Sequence, residues 1–230
     1  GLPLVTNLAL YDRLPYNPMT DLVPVIQLAD VTNVVTVHPT LGVQTMKELV
    51  QLAKAKPGQL NYAAGTIGAS THLAMELFMD MTGIKLNHVP YKGTAGYMPD
   101  LLSGRVEFMF APMANVLQQA QSGKLRALAV TSSKRVAALP ELPTVMEEGV
   151  PGYQAMSWYL LLAPAKTPDA IIQRLNAGFT AALKSPEILE KLTSLGAEVK
   201  TSTPAEFAAH LKSETVKMRA LVKASGAKVE

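Results

Sequence analysis

The chain has 230 residues, of which 48% are apolar, 17% charged and 6% aromatic, a composition that excludes disorder and collagen-like structure and suffices for one large domain or two small lobes. Its 21 Lys and Arg against 18 Asp and Glu give a net charge of +3, and the charges form no block of like sign, so a nucleic-acid partner is not expected. The longest apolar run, 158–163, is far short of the roughly 20 residues of a membrane-spanning helix, so no membrane insertion is expected, and the lack of cysteine removes disulfides and thiolate metal sites.

The first five residues, Gly1-Leu2-Pro3-Leu4-Val5, have neither the basic start nor the apolar length of a signal peptide. Beyond them, short β-rich runs alternate with helical patterns, which predicts an α/β protein with largely parallel sheets. Strands are expected at 23–29 and 33–37. Thr45 with Glu48 forms a capping box, and Met46, Leu49, Val50 and Ala53 share one face of a helix that Pro57-Gly58 ends. After a strand at 60–63, a helix starts near Ser70 or Thr71, carries Leu73, Ala74, Leu77, Phe78 and Met81 inward, and stops at Gly83. A strand at 86–89, a helix at about 94–102 containing Pro99, a strand at 106–110, a helix at 115–121 and strands at 127–131 and 157–162 follow. After Pro164 the pattern is helical, with three hydroxyl-proline starts: Thr167-Pro168, Ser185-Pro186 and Thr203-Pro204, the last with Glu206 as a second capping box. Apolar faces (Ile171, Ile172, Leu175, Phe179; Ile188, Leu189, Leu192, Leu195; Phe207, Leu211, Met218, Leu221, Val222) predict a helical layer on a sheet.

The stretch Ala64-Gly65-Thr66-Ile67-Gly68-Ala69-Ser70-Thr71-His72 joins a strand to a helix through a small, Gly-rich loop. Backbone N–H groups can converge there at the positive end of the helix dipole, the glycines permit close approach, and Thr66, Ser70 and Thr71 add hydroxyl donors, which together suit an anion. An ordinary βα turn with a serine cap is the alternative reading of the same residues. Tyr91-Lys92-Gly93-Thr94 is a second strand-to-helix transition, in which Lys92 and Thr94 either meet an anion or serve as a solvated cation and a cap. The four histidines, His38, His72, His88 and His210, have no metal-ligand spacing. Ser70 and His72 lie two apart and no nucleophile-elbow sequence surrounds the serine, so helix capping is its better assignment. Trp158 and Tyr159 alternate along a strand, one toward a cleft and the other toward the core; Trp158 is assigned to the ligand, with packing as the alternative.

Several ordered motifs carry a family resemblance from about residue 7 onward: Leu10-Tyr11-Asp12-Arg13-Leu14-Pro15-Tyr16-Asn17-Pro18, Lys56-Pro57-Gly58-Gln59-Leu60-Asn61-Tyr62, His88-Val89-Pro90-Tyr91-Lys92-Gly93, Asp100-Leu101-Leu102-Ser103-Gly104, Gly123-Lys124-Leu125-Arg126-Ala127-Leu128-Ala129-Val130-Thr131 and Leu142-Pro143-Thr144-Val145. The chain resembles the substrate-binding receptors of tripartite tricarboxylate transporters, the Bordetella uptake gene (Bug) family. The resemblance implies a two-lobed α/β periplasmic-binding-protein fold of the Venus-flytrap, type II-like kind. Lobe 1 would comprise 1–32 and 157–230, lobe 2 would be 33–156, and hinges would lie near 33–37 and 157–162. It also implies that a small mono- or dicarboxylate is gripped between the lobes and delivered to membrane permease subunits from the periplasm, without cofactor or catalysis.

By the same resemblance Ala64, Gly65, Thr66, Gly68, Ala69, Ser70 and Thr71 form one carboxylate-gripping loop, and Tyr91, Lys92, Gly93 and Thr94 border the cleft. Two departures stand out. Nothing corresponds to the strand, Gly-containing loop and helix with which the family's first lobe normally begins. After Phe108-Met109-Phe110, Ala111-Pro112 replaces the acidic or amide residue that many members carry, which argues against a ligand with an ammonium group. Two other classes of function stay open, an acyl-transfer enzyme using Ser70 and the flytrap effector domain of a regulator.

Overall fold

The computed structural model describes residues 1–11 and 13–225; Asp12 of the first motif and residues 226–230 of the expected first lobe lie outside them. Strand β1 (Leu22–Val37) is continuous where the sequence predicts two strands. Asp30 and Thr32 interrupt its apolar pattern, but continuity is set by hydrogen-bonded neighbours, and β1 only changes neighbours at this point. Ala29, Asp30 and Val31 pair with Val199, Glu198 and Ala197, whereas Asn33 onward pairs with two strands further along the chain. The change of partners coincides with the division into two compact units, Gly1–Val31 with Ser157–Glu230, and Thr32–Met156.

In the second unit β2 (Asn61–Ala64), β3 (Asn87–Pro90), β4 (Phe108–Pro112) and β5 (Arg126–Val130) join the second half of β1 in the order β3-β2-β4-β1-β5. β2 is parallel to both β3 and β4, and β1 is antiparallel to β4 and β5, so the sheet is mixed. The pleat sends alternate residues to opposite faces. Val35, Tyr62, Phe108 and Phe110 meet helices α2 (Met46–Ala55) and α3 (Ser70–Thr82) through Met46, Leu49, Ala74, Met75 and Phe78. On the other face Val34, Ala63, Met109 and Ala111 meet α4 (Thr94–Ser103) and α5 (Met113–Gln121) through Tyr97, Leu101, Met113 and Val116. The capping box of α2 forms with a shift: the Glu48 N–H donates to Thr45 Oγ1, but the Glu48 carboxylate accepts from Gln44 N rather than Thr45 N. Gly83 ends α3 in the left-handed region at φ 68°, and α4 continues through Pro99.

The first unit combines α1 (Pro3–Leu10), the first half of β1, β6 (Met156–Pro164), α6 (Asp169–Leu183), α7 (Pro186–Ser194), β7 (Ala197–Val199) and α8 (Pro204–Ser225). Helix α1, which the sequence pattern does not announce, packs on α8 and buries Val5, Thr6 and Leu10. The reciprocal Thr203–Glu206 box opens α8, and Ser185 Oγ accepts from Ile188 N at the start of α7. Thr167 is not a cap, because the residue before α6 is Pro168 and no side chain caps the helix. The expected inward stripe of α6 and α7 is also corrected. Ile172 and Leu183 reach Val25, Ile26 and Ala163, while Ile171, Leu175, Phe179, Ile188 and Leu189 are exposed. Among the described residues, no helix is long and apolar enough to cross a membrane.

Candidate functional site

β2 and β3 end side by side, with Ala64 opposite Pro90, and the Tyr91 N–H donates to the Ala64 carbonyl at 2.9 Å. The register therefore brings the 64–71 loop and the 91–94 segment together at the carboxyl ends of parallel strands, where open α/β sheets hold their ligands. Two surface grooves of the same unit, one lined in part by Leu125, Leu139 and Leu142 and the other by Lys47, Lys54 and Glu147, include none of these residues.

The loop is held from beneath by three side chains. Gly65 N–H donates to Thr71 Oγ1 at 2.9 Å, His88 Nε2–H donates to the Gly65 carbonyl at 3.0 Å, and Gly68 N–H donates to His72 Nδ1 at 3.4 Å. The glycines thus serve the loop's own conformation, with Gly68 at φ 82°, and their amides point to its supports. Both amides expected from the sequence to approach a ligand thus donate within the loop. The donors left for an anion are the amides of Ser70, Thr71 and His72, which lie in the first turn of α3 and have no intrahelical acceptor. The residue before them, Ala69, offers no side-chain cap, and the helix dipole adds partial positive charge at this end. Thr66 and Ile67 form the exposed tip of the loop. Ile67 is 45% exposed and gives the tip an apolar surface that a search for polar groups passes over.

Ser70 is the first residue of α3 and not its cap, so its hydroxyl is available to a ligand. Ser70→Ala should leave unfolding free energy within about 0.5 kcal/mol of the parent and weaken carboxylate binding by about 1 kcal/mol, roughly fivefold. Paired melts and calorimetric titrations separate the two effects. Unchanged affinity would remove the Ser70 hydroxyl from the site.

In the neighbouring segment, Lys92, Gly93 and Thr94 are exposed and Tyr91 is half-buried. Tyr91 is engaged, its hydroxyl donating to Asp100 Oδ2 at 2.7 Å; burial first and that bond second push its pKa up to about 12. Gly93, and not Thr94, occupies the position before α4. Thr94 Oγ1 accepts from Asn115 Nδ2 at 2.9 Å and from Tyr97 OH at 3.4 Å. Two incoming donors fill its lone pairs and leave its own O–H to point at an acceptor. Asn115, on α5, thus contacts the candidate site through Thr94, which sequence spacing did not reveal because the two lie 21 positions apart.

Beneath the loop, the His72 and His88 rings are 4.5 Å apart and His88 stacks on Tyr62 at 5.1 Å. His72 Nε2 lies 3.4 Å from Glu76 Oε1, which also accepts from Tyr62 OH at 3.3 Å. His72 Nδ1 receives the Gly68 amide and Nε2 lies beside Glu76, so neither nitrogen is paired with Ser70, which counts against acyl transfer through this pair. Burial, followed by His88, pushes the His72 pKa down to about 4; burial also lowers His88 and raises Glu76. An unfolded histidine titrates near 6.5. Between those two pH values the unfolded chain takes up a proton that folded His72 refuses, so stability is retained above about pH 6.5 and lost as pH falls toward 4. Thermal melts across this window should show a falling midpoint, and His72→Phe should flatten the decline. A parent midpoint independent of pH would contradict the burial of His72 as the neutral base.

Trp158, assigned to the ligand from sequence, is 4% exposed in the first unit. It packs against Phe207 and His210 with ring separations of 6.4 and 5.4 Å. Its indole is therefore core, and Tyr159, 59% exposed, is the residue facing outward. At the β1 end of the second unit's sheet, beside Pro112, Asn33 is 1% exposed with neither amide atom partnered among the described residues. Buried polar atoms normally have partners, and the sequence had marked this residue only as part of a hinge.

The architecture is the two-lobed α/β fold of periplasmic binding proteins. The model of the tripartite tricarboxylate transporter family receptor matches residues 3–227, and the chain belongs to that family. Protein BugT of Bordetella pertussis is 36% identical over 228 residues, covering 99% of this chain and 70% of BugT. R. palustris Rpa4515, solved with adipate, superposes with a TM-score of 0.92 at 36% identity, covering 100% of this chain and 78% of that one. MatC from Rhodopseudomonas palustris, solved with bound malate, gives 0.85 at 26% identity, covering 96% and 76%.

Proposed function

We propose that this chain acts as an extracytoplasmic receptor that captures a small mono- or dicarboxylate in the periplasm and hands it to the membrane permease of a tripartite tricarboxylate transporter, without catalysis. The observation that carries the reading is the first turn of α3. Three consecutive amides there lack intrahelical acceptors, and the loop before them is held by Thr71, His72 and His88. A carboxylate replaces its hydration with those N–H groups, the Ser70 hydroxyl and the O–H of Thr94, while exposed Lys92 adds long-range attraction. Preformed donors cost little reorganisation on binding. The carboxylates in the Rpa4515 and MatC structures supply the ligand class, and Ala111-Pro112 gives no counter-charge for an ammonium group.

Calorimetric titration with adipate, malate and acetate, beside a diamine and a neutral diamide, tests this. At least one carboxylate should bind at about micromolar Kd, near −8 kcal/mol, and the two controls should not bind. Diamine binding without carboxylate binding would overturn the reading. Labelling of Ser70 by a serine-directed phosphonate would restore the enzyme alternative.

A further inference from the structure

The supports of the loop contain an arrangement that the binding reading leaves unused. Gly68 N–H can only donate, so His72 Nδ1, which receives it at 3.4 Å, carries no proton. The single proton of the neutral ring then sits on Nε2, which faces Glu76 Oε1 at 3.4 Å. That oxygen also receives the Tyr62 hydroxyl at 3.3 Å, so it too acts as an acceptor. The backbone donor at one end and the shared carboxylate oxygen at the other define one direction for every proton in the chain of contacts. His72 and Glu76 are four residues apart on α3, with side chains 6% and 18% exposed, so water competes little for either contact.

We propose that Glu76 and His72 are a positioning relay, in which the carboxylate of Glu76 fixes the Nε2–H tautomer of His72 and the bare Nδ1 draws the Gly68 amide beneath the loop, thereby setting the loop shape that presents the first-turn amides of α3 to an anion. This rests on the carboxylate-binding reading above. In the other tautomer, or in the imidazolium, Nδ1–H would face the Gly68 N–H as donor against donor. The contact would open and Gly68, at φ 82°, would lose one of its restraints. Among the described residues, the titratable groups recorded against His72 are Glu76 on its own helix, His88 on β3 and, through Glu76, Tyr62 on β2. His88 holds the Gly65 carbonyl at the other end of the same turn. The arrangement resembles the orientation of metal-bound histidines by outer carboxylates, with a backbone amide in place of the metal.

Histidine nitrogen NMR on the uniformly labelled protein reads the tautomer directly, with or without ligand. His72 of the parent should show an unprotonated Nδ1 and a protonated Nε2; the reverse assignment overturns the proposal without any variant. Glu76→Leu keeps a side chain of similar size but removes the acceptor. It should mix the tautomers, speed hydrogen exchange at the Gly68 amide at least tenfold and weaken adipate or malate binding about tenfold. Glu76→Gln, which keeps an acceptor oxygen, should restore all three readings. His72→Asn, whose Oδ1 can stand near the position of Nδ1, should restore Gly68 protection where His72→Phe does not. Unchanged Gly68 exchange in both Glu76→Leu and His72→Phe would reject the relay. If tautomer and exchange respond as stated but neither adipate nor malate binds the parent, the relay stands and the carboxylate reading falls.

Discussion

Gly65→Ala should weaken carboxylate binding on the order of a hundredfold while leaving most of the fold intact. A Cβ at position 65 would stand 2.6 Å from Ala69 Cβ and 3.5 Å from Thr71 Oγ1. The first separation is far inside van der Waals contact, and Ala69 is the residue directly before α3. Its methyl has no rotamer into which to retreat, so the backbone between β2 and α3 must move. That movement breaks the Gly65 N–H to Thr71 Oγ1 bond or the His88 bond to the Gly65 carbonyl, two of the side-chain contacts that hold the loop. A displacement of about 1 Å in a preorganised site can cost on the order of a hundredfold. The folding cost should be smaller, about 1–3 kcal/mol for overpacking, since the clash lies in the loop after β2 rather than within the packed core. Titration with adipate and malate, together with a thermal melt, distinguishes the two effects. Parent-like affinity would show that the loop does not contact the ligand.

Phe78→Ala should have the largest effect on stability. Phe78 is fully buried on α3, with its ring 5.3 Å from Phe110 of β4 and 5.8 Å from Tyr153, and the latter two are 6.2 Å apart. The three rings form one aromatic cluster beneath the sheet, and Tyr153 OH donates to the Ala74 carbonyl at 2.8 Å, tying the same helix down. Truncating a buried Phe costs about 3–5 kcal/mol through lost transfer energy and the cavity left behind. Against total stabilities of about 5–15 kcal/mol, that is enough to leave the variant marginal. Denaturant titration followed by circular dichroism measures the change. A loss below about 1 kcal/mol would mean that Phe78 is not core.

Much of the second unit was legible because its signals are local. The Thr45 and Glu48 box, the left-handed stop at Gly83 and the alternation of short strands with helices require only neighbours within a few residues. The same holds for Thr203 and Glu206 in the first unit. The anion loop was recognisable as a type, a small Gly-rich turn between β2 and α3, and the family motifs raised it above an ordinary turn. Which of its groups face a ligand was not legible. Spacing made Ser70 a cap and the glycines points of close approach; in the structure Ser70 is the first helical residue and the glycine amides donate to Thr71 and His72.

Sequence alone thus determined the composition class, the α/β alternation, most helix starts and the family, since these rest on local backbone chemistry and on motifs carried in order along the chain. Tertiary structure decided the rest. It kept β1 whole by giving it different partners on either side of Val31 and Asn33. It formed α1 through packing on α8 and buried Trp158 against Phe207. It also set His88 against Gly65 from 23 residues away and Asn115 against Thr94 from 21. Each of these is a contact between segments remote in sequence, whose closeness depends on sheet register, and register is a property of paired strands that no single segment specifies.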